Sequence, residues 1–329
     1  MTITIFLRLE MMESYIDQQN KIKGALYGLL IGDAVGVSYE FNLPEQLPVY
    51  ADIDIVPPKY FKKTYPDIEV GTWSDDGAQA LCLLDSLLHK GQFDQQDFMH
   101  RLCNWYQYGY MAVDYKVFDV GVQTAESIRA YMNGVELQNV ARNDELANGN
   151  GSLMRVLPLA LWHQGSDQQL IQDAYAQSHV THAHLRSKVC CALYCLWARY
   201  ILKGADIESA WNEAVAILRE HFHDKEDELE QLEYYIRPDE LEKGMGSGYV
   251  VDCLKSARFA LKQDNYQDVI KTAIAFGRDT DTTACVAGGI AGLYYGFDAI
   301  PKNWFDQLRA KDIVEDLLKK LLQEKLVRE

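Results

Sequence analysis

The sequence predicts an all-α protein. Three observations carry that reading. Apolar residues recur at helical spacing, as in the leucines of Ala78–Leu88, and no stretch alternates convincingly with period two. Two segments, 24–36 and 284–292, are built almost wholly of small and apolar residues, which suits helices crowded by neighbours in the middle of a protein. The 329 residues, 48% of them hydrophobic, can form a sizeable core.

In chain order, residues 12–38 read as a helix whose buried half, Gly24 to Gly36, carries Asp33 as its lone charge, with Glu40 seven residues later. Residues 42–70 hold prolines 44, 48, 57, 58 and 66 and no sustained period, so a long loop is expected. Gly71-Thr-Trp-Ser-Asp-Asp-Gly77 opens the Ala78–Leu88 helix, and further helices are expected over 94–113 and up to Gly134. Asn148-Gly-Asn-Gly-Ser-Leu-Met-Arg155 is a glycine-rich loop before an apolar helix over 156–163. That geometry can turn backbone N–H groups towards a phosphate, although such a run often makes a simple turn.

A helix after 168, the run Thr181-His-Ala-His184, an apolar helix through Ile201 and a helix over 206–222 follow. The two histidines suit either metal ligands or a cap and a surface position. The acidic run 224–242 reads as an exposed, mobile face. Glycines 244, 246 and 248 then deliver Tyr249 to a helix start, and helices over 254–262 and 266–276 lead to Asp279-Thr-Asp-Thr282. Ile313 to Leu322 marks an amphipathic closing helix. With no internal linker, residues 21–329 read as one domain behind an extension, 1–20, in which Met11 and Met12 offer an alternative start.

The net charge of −16 argues against nucleic acid and against an anionic membrane surface as partners. No run approaches 20 apolar residues, and the first eleven residues lack the basic start and cleavage site of a signal peptide. The seven cysteines form no Cys-x-x-Cys pair and lie mostly inside apolar helical patterns, which suits free buried thiols in a reducing cytoplasm.

Two short segments bear the chemistry. Asp279, Thr280, Asp281 and Thr282 place two carboxylates and two hydroxyls around one turn at the head of a buried helix. Ser74, Asp75 and Asp76 repeat that arrangement at another helix start. A single N-cap would explain one such residue. So many oxygen donors of two kinds suit a hard cation better. Asp33 is expected to tie backbone N–H groups near this site.

Taken together these elements resemble the ADP-ribosylglycohydrolase family, particularly its bacterial branch that activates dinitrogenase reductase. The resemblance covers residues 22–300. It rests on Gly32-Asp-Ala-Val-Gly36 with Glu40, Ser74-Asp75-Asp76, Phe118-Asp119-Val-Gly121 with Thr124, Gly149-Asn150-Gly151 with Met154-Arg155, Thr181-His182, Ser247-Gly248-Tyr249-Val250 and Asp279-Thr-Asp281-Thr282, in that order. It implies a compact orthogonal bundle of many helices, with two Mg²⁺ (or Mn²⁺) ions between helix N-termini. By that carry-over Ser74, Asp75, Asp76, Asp279, Asp281 and Thr282 are metal ligands.

The implied reaction is hydrolysis of the bond between the ribose C1″ of ADP-ribose and a protein side chain. Asp119 would accept the proton of the attacking water, and Glu40 would help hold ribose and water. Gly149, Asn150, Gly151 and Ser152 would offer N–H groups to the pyrophosphate, His182 and Gly248 would line the substrate, and Tyr249 would stack on it. The partners implied are ADP-ribose and an ADP-ribosylated protein, acted on by a monomer. Gly77 stands where the family commonly has threonine and Arg278 where glycine is frequent; that guanidinium turns outward or reaches for substrate.

The Ser-Gly-Tyr-Val-Val run resembles the branch of the family that acts on arginine, which implies arginine as the modified residue. Two alternatives remain at this stage. One is the same chemistry on O-linked ADP-ribose, on serine or in small derivatives. The other is a non-enzymatic role in binding ADP-ribose or as immunity against a toxin.

Overall fold

The structure is a computed structural model describing residues 2–328, with side chains described for 16–325. Among the described residues there are 14 α-helices and no strand. Gly149 and Tyr249 form an isolated β-bridge.

The frame is an antiparallel pair. Helix α1 (Thr2–Gly36) packs along α12 (Thr280–Tyr295) more extensively than any other two helices pack. Glycines at every fourth position make this possible. A Cβ on Gly24, Gly28 or Gly32 would overlap the carbonyl oxygen of Gly292, Gly288 or Ala284, and one on Gly36 would meet the Asp281 backbone. The two backbones therefore touch directly along an i±4 ridge. Side chains from later helices fasten this pair: the Tyr266 hydroxyl donates to the Gly28 carbonyl at 2.7 Å and Tyr194 donates to Val286 at 2.9 Å.

The remaining helices wrap that core. Helix α2 (Asp75–Lys90) is capped by Ser74, and α3 (Gln95–Tyr108) stops at Gly109, whose φ of 70° ends the helix five residues earlier than periodicity suggests. Then come α4 (Val122–Met132), α5 (Leu157–Trp162), α6 (Asp167–His179), the buried α7 (Leu185–Leu202) and α8 (Ile207–His221). Trp197 of α7 meets Trp211 of α8 edge to face at 4.9 Å. All seven cysteines are buried and free.

Further segments differ from expectation. Residues 224–242 are not simply a solvated face: α9 (Glu226–Glu230) continues into a π-helical turn that buries Gln231, Leu232 and Ile236. Leucine and isoleucine at that spacing reach the core, while Arg219 binds Glu233 and Asp239 outside. Helix α10 (Val250–Ala260) begins at Val250 because Tyr249 is its N-cap. Helices α11 (Tyr266–Ile274), α13 (Lys302–Gln307) and α14 (Lys311–Arg328) complete the chain. The stretch expected as an extension is helical from Thr2 as the beginning of α1. No helix among the described residues is long and apolar enough to cross a membrane.

The backbone contact predicts an inverted mutational sign. Gly to Ala inside a helix ordinarily gains about 0.5–1 kcal/mol. Gly28→Ala should instead cost about 1–3 kcal/mol through overpacking and lower the Tm by several degrees. A calorimetric scan of the variant beside wild type checks the sign.

Candidate active site

The site forms where α1 ends and α2 and α12 begin. Asp33, one turn from the end of α1, is fully buried and gathers the α2 entry. Its oxygens accept from Ser74 N–H at 2.9 and 3.0 Å and from Gly77 N–H at 2.8 Å. This is the structural role expected of it, and it orients Ser74, Asp75 and Asp76. Thr280 donates to the Gly36 carbonyl at 2.7 Å, so the head of α12 is pinned to the tail of α1. Thr282 reaches Asp76 Oδ1 at 3.4 Å and joins the two acidic helix starts.

Glu40, Asp119 and Asp281 each offer an oxygen within 4.8 Å of the others. Among the described residues three buried carboxylate oxygens have no hydrogen-bond partner: Glu40 Oε2, Asp76 Oδ2 and Asp281 Oδ2. Burial and mutual repulsion push these acids up. Glu40 rises to about 11, from burial first and then from Asp119 and Asp279, and Asp75, Asp76 and Asp281 stand well above the usual carboxylate range. Orphaned carboxylate oxygens are costly in the absence of a cation. An all-oxygen donor set of carboxylates and hydroxyls suits a hard divalent ion. The residues fit a metal centre.

Above these groups lies a cleft of about 600 Å³, lined by Glu40, Phe41, Asp75, Asp76, Asp119–Thr124, Gly149–Gly151, Met154, His182, Ser247, Gly248, Arg278, Asp279 and Thr282. A larger depression of about 910 Å³ lies around His100, Tyr131 and Leu137. None of the orphaned carboxylates faces it, so the chemistry belongs to the smaller cleft.

Most of the expected site residues converge there, with particular differences. Asp119 has φ of 53°, a conformation aspartate tolerates better than most residues, and its carboxylate accepts from Tyr65 at 2.8 Å. In the glycine loop, Gly149 N–H donates to Gln123 Oε1 at 2.8 Å and Asn150 N–H donates to the Gly248 carbonyl at 3.0 Å. Those two N–H groups are therefore committed to the protein, and Ser152 is absent from the cleft wall, so within the loop the phosphate-facing reading narrows to Gly151. The Ser152 side chain turns away from the cleft, fully buried, with its hydroxyl 2.9 Å from Ser178 Oγ and 3.4 Å from Cys191 Sγ.

Tyr249 does not line the cleft either: its hydroxyl accepts from Arg186 at 3.2 Å, and Gly248 occupies the wall. The paired histidines have separate fates. His184 caps α7 and pairs with Glu145. His182 lines the cleft and is held neutral, down at about 3, by burial and by Arg155. Arg278, with φ of 64°, sits on the rim and donates to the Met245 and Phe276 carbonyls at 2.9 and 3.2 Å rather than entering the acid cluster.

Arg155 is the residue whose role the sequence does not show. It is fully buried and donates to Gln79 Oε1 at 2.8 Å, while Gln79 Nε2 donates to Asp75 Oδ2 at 2.8 Å. The cation thereby reaches an acid of the cluster through one amide. Gln79 stands four residues after Asp75, a helical spacing that is its only sequence signal. Tyr65 has none, coming from the proline-rich loop.

Comparison with known proteins now decides the family. Residues 14–329 match the ADP-ribosylglycohydrolase family. This chain belongs to that family. It is 31% identical over 312 residues to ADP-ribosylarginine hydrolase Tri1 of Serratia proteamaculans, covering 92% of this chain and 79% of the relative. It is 28% identical over 289 residues to the ADP-ribosyl-(dinitrogen reductase) glycohydrolase of Rhodospirillum rubrum, covering 88% and 90%. A solved structure described as an ADP-ribosylglycohydrolase-related protein complex superposes with a TM-score of 0.72 at 27% identity, covering 93% of this chain and 98% of that one. Membership makes the protein a glycosidase of the ADP-ribosylglycohydrolase type, and its all-α fold is that of the family.

The Asp33 clamp generates a test. Asp33→Asn puts an N–H₂ group against N–H donors of Ser74 and Gly77, which leaves a buried mismatch costing about 1–3 kcal/mol. Thermal unfolding should show the loss with and without Mg²⁺. An unchanged Tm would remove Asp33 from its organising role.

Proposed function

We propose that this glycohydrolase removes ADP-ribose from modified arginine side chains of a protein substrate, using two divalent cations, Mg²⁺ or Mn²⁺. The observation that carries the metal requirement is the cluster of Glu40, Asp119 and Asp281 oxygens at the cleft, with Glu40 Oε2, Asp281 Oδ2 and the neighbouring Asp76 Oδ2 buried and unpartnered. The arginine linkage is supported by two similar proteins that are named ADP-ribosylarginine hydrolases. Ser74, Asp75, Asp76, Asp279, Asp281 and Thr282 would hold the cations, and the placement of Glu40 and Asp119 beside Asp281 adds two carboxylates at the same spot. When bound, such ions supply charge for gripping ribose hydroxyls and for acidifying a water.

The chain's own groups account for the remainder of the reaction. The water oxygen bonds to C1″ as the C1″–N bond breaks, and the electron pair leaves with the guanidine nitrogen. Asp119, oriented by the Tyr65 hydroxyl, receives the water proton. Glu40 stands beside it and keeps the water and the ribose in register. His182, neutral, and the loop at Gly151 face the remainder of the ligand in the cleft. The departing guanidine takes up one proton, the equivalent of the one that water gave to Asp119, so the carboxylate is restored and the reaction is proton-neutral.

Purified protein incubated with ADP-ribosyl-arginine peptide should release ADP-ribose with Mg²⁺ and none with EDTA. Release from ADP-ribosyl-serine alone would overturn the arginine assignment. Asp75→Asn and Asp281→Asn should each lower kcat roughly 1,000-fold, a loss of about 4 kcal/mol. Stability gives a second reading with the opposite sign. Removing one of several repelling buried carboxylates should leave Asp281→Asn at least as stable as wild type in EDTA, while the rise in Tm on adding Mg²⁺ shrinks. A full Mg²⁺ response in that variant would count against the ligand set.

A further inference from the structure

We infer that Phe41 is a specificity-determining residue whose ring receives the guanidinium leaving group of the substrate; this inference rests on the arginine reading above. Phe41 is 62% exposed, yet it lines the cleft and immediately follows Glu40. Its backbone has φ of 58°, a conformation disfavoured for a bulky side chain. The fold enforces it there. Phe41 N–H donates to the Arg278 carbonyl and Arg278 N–H donates to the Asn42 carbonyl, both at 2.6 Å. Thus an aromatic ring is exposed to water on an unfavourable backbone and clamped to the residue before Asp279.

Position selects its ligand. The glycine loop packs on Gln123 and His182, and the reading above assigns the phosphate end of ADP-ribose to that wall. Phe41 stands instead beside Glu40, whose carboxylate meets Asp119 and Asp281 where C1″ is attacked. The group adjoining C1″ on the side away from the phosphates is the leaving group. For arginine that group is a planar cation, and a guanidinium stacks on an aromatic face. The ring is held from behind: Tyr65 meets Phe41 with centroids 6.3 Å apart at 61°, and Phe118 meets Tyr65 at 5.2 Å. Arg278, the nearby cation, has its guanidinium engaged by the Met245 and Phe276 carbonyls. A serine leaving group offers neither charge nor plane and would gain nothing from this ring.

The test compares Phe41→Ala, Phe41→Leu and Phe41→Trp with wild type. Steady-state kinetics on ADP-ribosyl-arginine peptide would be paired with calorimetry using free ADP-ribose, which lacks the leaving group. KM for the arginine conjugate should rise about 3- to 30-fold in the alanine and leucine variants and stay near wild type in the tryptophan variant. ADP-ribose affinity should hold within about twofold in all of them, and that also shows that the variants are folded. Leucine performing as well as phenylalanine would reduce the ring to apolar packing and overturn the inference. A parallel loss of ADP-ribose affinity would assign the ring to ADP-ribose and overturn it too. Failure of wild type itself to release ADP-ribose from arginine overturns the arginine reading and this inference together, whereas wild-type turnover with an unchanged KM in Phe41→Ala overturns this inference alone.

Discussion

The direct backbone contact between α1 and α12 is the constraint on which the rest of the structure depends. It works only because every fourth residue on α1 from Gly24 to Gly36 lacks a side chain, facing Gly292, Gly288, Ala284 and Asp281 in turn. Its last contact lies in the active site. Gly36 against Asp281, with Thr280 bound to the Gly36 carbonyl, sets where α1 ends relative to the acidic head of α12. Glu40, four residues on, is thereby delivered to Asp281. A separation that chemistry must hold to within a fraction of an ångström is set by contact between backbones, which cannot repack as side chains do.

The second layer of the design is electrostatic. Several carboxylates are buried in one place, and each raises the proton affinity of the others. Such a cluster opposes folding unless it is supported from outside, and the supports are visible. Asp33 takes up N–H groups of the α2 entry, Asn150 donates to Asp279 at 2.8 Å, and Arg155 reaches Asp75 through Gln79. None of these partners the orphaned oxygens of Glu40, Asp76 and Asp281. Stability is given up at those oxygens, and they are the ones a cation would engage.

The legible parts of this molecule are those whose causes are local. Glycine spacing at 24–36 and 284–292 announces two helices pressed together, and Ser74 and Asp279 announce helix starts by their position before apolar runs. The lone Asp33 in an apolar face implies buried N–H partners, and it has them. What the sequence conceals depends on pairing across the chain. Tyr65 meets Asp119 from a loop without periodicity, 54 residues away. Tyr249 follows the right motif, but Arg186, 63 residues earlier, draws its hydroxyl off the cleft. Ser152 sits in the glycine run but faces α6 and α7, where its hydroxyl accepts from Ser178 and meets Cys191 Sγ. In the acidic 224–242 stretch, charge count overshadowed the apolar Leu232 and Ile236, four residues apart.

The glycine loop shows why such pairings change the functional account. A loop read from sequence as free N–H groups awaiting phosphate is already bonded at two of them, to Gln123 and to Gly248. Its third tie is the Asn150 side chain on Asp279 Oδ2, an oxygen of the acid cluster. Moving the loop to admit or release the phosphate end of a ligand would therefore strain a donor on Asp279, and loading the cluster would pull on the loop. The glycine loop and the acid cluster share one hydrogen bond, so a substitution at Asn150 acts on both at once. A sequence motif lists these two features separately. The fold makes them one mechanical unit, because the segments around 150, 248 and 279 meet at the end of the same helix pair that brings Glu40 to Asp281.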